Sequence, residues 1–446
     1  MPDLRDLVSA AVEAAHDGES VEAYAEESTR TEVDAHKAEV EGLTFAESRG
    51  VGVRLILSDG RLGSSWAADP SADEVARSVA QARENAAFAT PDEHNVLPKA
   101  HAAEPIAELY RSAQAELTTD RKVALALDLE ARAVTRDPRV TKVDVVQYGD
   151  AVSRVAIAST TGMAAEYERT DCWCVVVTLA EQDGETQTGF SFRVGRALEE
   201  LGWEGVADEA VERSTRMLGA VKPPTMKVPV LLDPFAGSSF LGVLAGALSA
   251  EAAQKGRSLF AELVGQQVGS EALTLVDDGR LLSGPAASPF DDEGVPTGRT
   301  ELLTRGTLNG FLHDTYTAHR GGTSSTGNAK RGGYRTAPGV GVSNFYVEPG
   351  VMDLTALLAE ANGGVLIQDV SGVHSGANPI SGEFSVGATG LRIEGDALGE
   401  PLREMTIAST IPDMLRAVNA VGSDLRFFTS VGVPSILIGE MTVAGV

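Results

Sequence analysis

Along the first half of the chain, apolar positions recur every second residue in some stretches and at helical spacing in others. Residues 4–16 place apolar side chains three and four apart, the pattern of an amphipathic helix. VEAYAEES, TEVDAHKAEV, LTFAESRG and VGVRLILSDGRLGSSW alternate instead, which predicts antiparallel strands with a tight turn at Asp59-Gly60. Ser71-Ala-Asp-Glu74 has the spacing of a capping box, in which hydroxyl and carboxylate satisfy each other's backbone N–H groups, and predicts a helix to about Ala87. After a connection from Thr90 to Pro105, helical periodicity covers roughly 107–117 and 120–136. Alternation then returns in VTKVDVVQYGD, AVSRVAIAST, MAAEYERT, CWCVVVTLAEQDGE and TQTGFSFRVGR. These predict a meander turning at Gly149-Asp150, Thr161-Gly162 and Asp183-Gly184, closed by a helix over about 197–218.

Consecutive prolines in VKPPTMK, residues 221–227, bar both helix and central strand and mark the expected domain boundary. Residues 1–222 are expected to form an N-terminal α+β domain, with a candidate sub-boundary at 90–105, and residues 223–446 a β-rich C-terminal domain. Beyond the boundary, KVPVLLD reads as a strand, FAGSSFLGVLAGALSAEAA as a helix and SLFAELVGQQVG as another. Short strands and turns follow, with helices near 353–361 and 411–419. The FAGSSF stretch is uncharged between Asp233 and Glu251, and its small residues Gly242, Gly246 and Ala250 recur four apart, which lets one backbone approach another closely. Its apolar run is shorter than the ~18 residues a membrane span needs, so it reads as a buried soluble helix.

Composition narrows the function classes. A chain of 446 residues exceeds the ~250–300 that one core supports, so more than one domain is expected. A formal charge of −27 argues against nucleic acid and anionic membranes, both of which need clustered cations. The N-terminus lacks a basic segment followed by an apolar one, so no signal peptide is expected. Cys172 and Cys174 fall on one strand face about 6.6 Å apart, a poor geometry for a disulfide. Free thiols fit a reducing cytoplasm.

Chemistry-bearing segments are few. FDDEGVPTGRTELL places Asp291, Asp292 and Glu293 before Gly294; it suits either a hard-cation site or an acidic turn that caps its own backbone, and lacks the alternation of an EF-hand loop. HRGGTSSTGNAKRGGYR is basic and rich in Gly and hydroxyls but lacks the Gly-Lys-Ser/Thr ending of a phosphate loop, so it reads as a shaped loop at an interface or cleft. Seven histidines are scattered with no compact ligand pattern, although His313 and His319 could share a strand face. There is no G-x-S-x-G elbow.

Four segments in order resemble the TldD/PmbA family: GRSLFAELVGQQVGS (256–270), LTLVDDG (273–279), FDDEGVPTGRTELLTRGTLNGFLHDTYTA (290–318) and TSSTGNAKR (323–331). GEFSVGATGLRIEGD and VPSILIGEMTVAG are similar to its C-terminal half. The resemblance implies a two-domain α+β protein, with an antiparallel N-terminal sheet plus helices and a β-rich C-terminal domain, acting in a dimeric cytoplasmic peptidase. TldD-type members carry HExxxH upstream of the G-x-S-x-F segment and a further cysteine ligand near the C-terminus. Counting back without gaps from Gly256 puts the HExxxH positions at Leu241, Gly242 and Gly246, none of which binds zinc, and DLRFFTSVGVP has no cysteine.

The resemblance therefore implies the TldE/PmbA branch, a non-catalytic subunit with no metal of its own. Zinc is expected in a TldD-type HExxxH-bearing partner, and the substrate is an unfolded or small peptide, modified peptides included. Asp292, Glu293, Gly294, Thr326, Gly327 and Asn328 are the candidate cleft or interface residues. Two alternatives stand beside this: a free-standing homodimeric binding or scaffold protein, and a hydrolase with a metal site relocated to His313, His319 and a carboxylate.

Overall fold

The alternating segments of the first half merge into fewer and longer strands than their sequence breaks suggest. A computed structural model describes residues 2–445. After α1 (Leu4–Glu13), β1 (Ser20–His36) turns back at Lys37-Ala38 into β2 (Glu39–Ile56). Both turn residues have positive φ, 55° and 60°, the backbone of a tight hairpin that ordinarily calls for Asn-Gly. Here the Glu130 carboxylate accepts both turn N–H groups, at 2.6 Å from Lys37 and 2.8 Å from Ala38. TEVDAHKAEV is thus strand, turn and strand, and the turn is held from outside itself.

The Asp59-Gly60 turn forms before β3 (Leu62–Ala68), and α2 (Ala72–Ala87) starts at the expected capping box. Only α3 (Ser112–Ala115) of the expected 107–117 helix is helical, and α4 (Thr119–Arg136) follows. β4 (Val140–Ser159) runs straight through Gly149-Asp150, where the sequence predicts a turn. Gly149 serves close packing instead, since a Cβ there would lie 2.2 Å from the Trp173 ring. β5 (Ala164–Gln182) and β6 (Glu185–Gly195) complete an antiparallel sheet in the order β3-β2-β1-β4-β5-β6. The closing helix breaks at Gly202 (φ 50°) into α5 (Leu198–Leu201) and α6 (Trp203–Thr215). Helices α1, α2, α4 and α6 cover one face of this sheet. Cys172 and Cys174 are buried free thiols beneath them, and burial raises both, Cys174 to about 12.

The second half opens with β7 (Met226–Leu232), α7 (Pro234–Ala247) and α8 (Ala250–Gln254). SLFAELVGQQVG forms turns, not a helix. Then come β8 (Leu275–Asp278), β9 (Arg299–Thr304), β10 (Thr307–Leu308), α9 (Thr315–Gly321), β11 (Ala329–Lys330), β12 (Gly339–Val340) and β13 (Phe345–Val347). The chain continues through α10 (Leu354–Glu360), β14 (Val365–Ser371), α11 (Val373–Gly376), β15 (Glu383–Glu394), β16 (Ala397–Thr410) and α12 (Ile411–Arg416). It ends with β17 (Val418–Val421), β18 (Arg426–Phe427), β19 (Val431–Val433) and β20 (Ile436–Ala444). The helix expected at 411–419 therefore stops early, and its last residues join a strand. One sheet runs β10-β9-β8-β13-β19-β18. The other runs β16-β15-β14-β7-β20-β17, and an extra β16–β20 pairing closes five of its strands into a ring. α7 packs with both sheets around the largest apolar core.

The fold is α+β, as the sequence pattern predicts. Among the described residues, no helix is long and apolar enough to cross a membrane.

The face of the first sheet opposite its helices meets the second half through Tyr24, Val155, Ile157, Phe290 and Tyr334. Contact is closest at Gly52 of β2, where an added Cβ would lie 2.1 Å from the Tyr334 carbonyl oxygen. Gly52→Val is expected to lower the unfolding free energy by about 2 kcal/mol or more through backbone displacement. Urea denaturation checks this, and an unchanged midpoint would contradict the close approach.

Candidate functional site

The FDDEG segment forms a tight loop in which Asp291 accepts the N–H groups of its own neighbours. Its Oδ1 takes Glu293 at 3.0 Å and Val295 at 2.9 Å, its Oδ2 takes Ala329 at 3.0 Å, and Gly294 turns the chain with φ 84°. Of the two readings open at the sequence level, this geometry is the backbone-capping turn. Asp291 is fully buried. Burial first, and the neighbouring Glu293 carboxylate second, push it up to about 8 against the pull of the three N–H donors.

Glu293 reaches away from that loop and joins the two halves of the molecule. Its Oε2 accepts the N–H of Thr315 at the start of α9, at 2.9 Å, while Oε1 pairs with Arg54 of β2 at 2.9 Å. Arg54 also holds Glu22 of β1 through a bidentate contact at 3.0 and 2.6 Å. Glu22 in turn accepts from Arg331, whose Nε donates to the Asp292 carbonyl at 3.1 Å. Glu22 and Glu293 are each 1% exposed. Charges this deep are tolerated only when paired and hydrogen-bonded, which these are.

The glycine- and hydroxyl-rich loop closes the same network. Asn328 donates to Asp277 at 2.7 Å and to the Gly341 carbonyl at 3.1 Å, and accepts from the Thr326 hydroxyl at 2.7 Å. Gly327 has φ 75°, and a Cβ there would lie 2.5 Å from the Pro296 carbonyl oxygen. The structure thus brings Asp292, Glu293, Gly294, Thr326, Gly327 and Asn328 together around one buried polar knot. Glu22 and Arg54, its partners from the first sheet, escape the sequence reading, where each looks like one more charge in an alternating strand.

The uncharged stretch lies elsewhere. Asp233 caps α7 by accepting from the N–H of Ala236 at 2.9 Å and pairs with Arg213 of α6 at 2.6 Å. Leu241 is 1% exposed and packs in the main core, whereas Gly242 and Gly246 are exposed, with nothing within 4 Å of an added Cβ. The helix is therefore buried on one side only. Its three HExxxH-equivalent positions carry no donor atom, and they do not share a face. DLRFFTSVGVP contributes β18 and β19 without a thiol or imidazole.

His313 and His319 do not share a strand. His319 lies in α9, with its Nδ1 3.3 Å from that of His94, while the His313 Nδ1 is buried without a hydrogen-bond partner among the described residues. Among the described residues, no group of three or more His, Cys, Asp or Glu side chains is arranged to hold a metal ion. The residues present therefore do not fit zinc, at the helix or at His313 and His319.

Arg54→Met is expected to cost about 3 kcal/mol or more, because it leaves two buried carboxylates short of a cation. Denaturant titration checks it, and a loss below about 1 kcal/mol would contradict the assignment. Asp291 is raised in the fold, so its contribution to stability is complete below the ordinary value of 3.8 and fades as pH rises through about 8. Stability should accordingly fall between roughly pH 4 and 8 and level off above that. Glu293→Gln removes the second cause and should shift that fall to lower pH; denaturation across this range reads it.

Comparisons with known proteins bear on the same regions. Models of the PmbA/TldA metallopeptidase match in order: domain 1 over residues 21–86, the central domain over 113–218 and the C-terminal domain over 225–445. The chain is 27% identical to the metalloprotease PmbA of Escherichia coli O157:H7, covering 99% of this chain and 96% of that protein. It is 27% identical to a metalloprotease TldD homolog of Haemophilus influenzae, covering 90% and 88%. A Thermotoga maritima crystal structure, described as a putative modulator of a DNA gyrase, superposes with a TM-score of 0.89 at 28% identity, covering 98% of each chain. TldE from Thermococcus kodakarensis also gives 0.89, over 99% of each chain, and at 23% identity this likeness shows the fold alone.

Proposed function

Since the chain belongs to the PmbA/TldD metallopeptidase family, we propose that it is a non-catalytic, TldE/PmbA-like subunit working with a TldD-type, HExxxH-bearing partner on unfolded or small peptides. The observation that carries this reading is the state of α7. Leu241 is committed to the core, and the face bearing Gly242 and Gly246 is open and without side chains at those positions. A zinc peptidase needs about three protein ligands and an open position for water. In this reading the partner supplies the zinc and the base.

This chain would contribute wall and interface. The Gly242–Gly246 face permits close approach by another backbone, and the polar knot fixes the second half of the chain against its first sheet, so that this face is presented in one orientation. A homodimer with a binding role is the competing outcome of the same test.

Co-expression with an HExxxH-bearing homologue, followed by cleavage assays on casein and short peptides, tests the proposal. Hydrolysis is expected from the pair, from neither chain alone, and not from a pair whose partner carries Glu→Gln in HExxxH. Self-dimers without the partner, or hydrolysis by this chain alone, would overturn it. Gly246→Leu meets open space in the lone chain. Its stability should therefore not fall, and the loss of a helical glycine should raise it by up to about 1 kcal/mol. The variant should nonetheless reduce pair formation, which size-exclusion chromatography reads.

A further inference from the structure

A cavity of about 330 Å³ opens beside Asp292, where β5, the 285–292 segment, β11 and residues 429–430 meet. Its volume is at the small end of the range for ligand pockets, and it lies between the two halves of the chain, a common place for such sites. The polar side chains on its wall that decide what fits include Tyr167, Arg169, Asp292, Lys330, Thr429 and Ser430.

Most cations of this acidic chain are paired, but Lys330 is half-buried and forms no ion pair or side-chain hydrogen bond among the described residues. Asp292 and Asp277 feel the Lys330 charge but do not contact it, which leaves the ammonium able to meet an acceptor that enters from outside. Arg169 adds positive charge, although its Nε and Nη2 are engaged by Asp171 at 2.8 and 2.9 Å. The pocket thus carries two cations and one carboxylate on a chain whose net charge is −27.

The carboxylate refines the choice. Asp292 accepts the N–H of Arg331 on Oδ2 at 2.6 Å, and Oδ1 has no partner among the described residues. Phosphate would satisfy the cations but, as an acceptor-rich dianion, would be repelled by Oδ1. The C-terminal residue of a peptide offers a carboxylate with an amide N–H donor close by, which matches both signs.

We infer that this cavity binds the C-terminal residue of a peptide, with its carboxylate on Lys330 and the hydroxyls of Thr429 and Ser430 and its amide N–H toward Asp292. This rests on the reading of the chain as a peptide-handling subunit. It adds which end of the peptide is held, and where.

The test uses the full chain without a partner and a fluorescein-labelled hexapeptide followed by anisotropy. The free-acid peptide is expected to bind, and its C-terminal amide to bind about tenfold or more weakly. Lys330→Met should weaken the free acid to a similar extent. Inorganic phosphate should compete poorly. The inference is overturned if acid and amide bind alike, if Lys330→Met binds as wild type, if phosphate displaces the peptide as well as an unlabelled copy does, or if wild type does not bind. A melting curve confirms that each variant is folded. Because no partner is present, binding that persists while co-expressed pairs fail to hydrolyse peptides defeats only the subunit reading. Hydrolysis by the pair without C-terminal binding defeats only this one.

Discussion

The buried pairing of Glu22 and Arg54 with Glu293 and Arg331 is the constraint on which the rest of the molecule depends. Each charge would be prohibitive alone at this depth, and each is tolerated because the other three are in place. Two of the four come from the first sheet and two from the second half, so the network can form only when the halves are docked in one register. Around it, the carboxylates outnumber the guanidinium groups. The structure accommodates that excess by burying Asp291 among backbone N–H donors and pushing its proton affinity up. What reads in the sequence as a possible metal-binding acidic run is thus the hub of an internal clamp.

A second clamp holds the other end of the junction. Arg213 of α6 reaches the cap of α7 at Asp233 and the carbonyl of Gln368, while Phe235 stacks against Phe190 of β6 and Phe428. Near it, burial alone would raise the Glu209 carboxyl, but the hydrogen bond and charge of Arg426, with Arg193, overcome burial and hold it at about 2. α7 is therefore fixed at its start by polar contacts across the junction and along one side by the core. Its outer face is left to glycine. A helix anchored this firmly but bare at Gly242 and Gly246 fits a part retained for shape.

Local patterns carried much of this fold. The Ser71–Glu74 capping box, the Asp59-Gly60 turn and the period-two alternation of both meanders depend on neighbours in sequence, and they appear where expected. What failed depends on distant partners. The Lys37-Ala38 turn has no turn-forming residue and is held by Glu130, and Gly149 looks like a turn glycine but makes room for Trp173. The 258–269 segment has helical periodicity but is spent in turns, with Phe260 and Val268 in the core. At the candidate site, the motif residues were legible as a group, whereas Glu22 and Arg54 carry no local sign of their role. The openness of the Gly242–Gly246 face was likewise invisible to periodicity, which gave the helix as buried.

That this chain holds no catalytic metal of its own is the central claim, and it is directly measurable. Zinc content of the purified chain, determined by elemental mass spectrometry after dialysis against metal-free buffer, should be far below one equivalent. One zinc per chain that survives dialysis and is lost on replacing His313 or His319 would contradict the claim and restore a relocated metal centre.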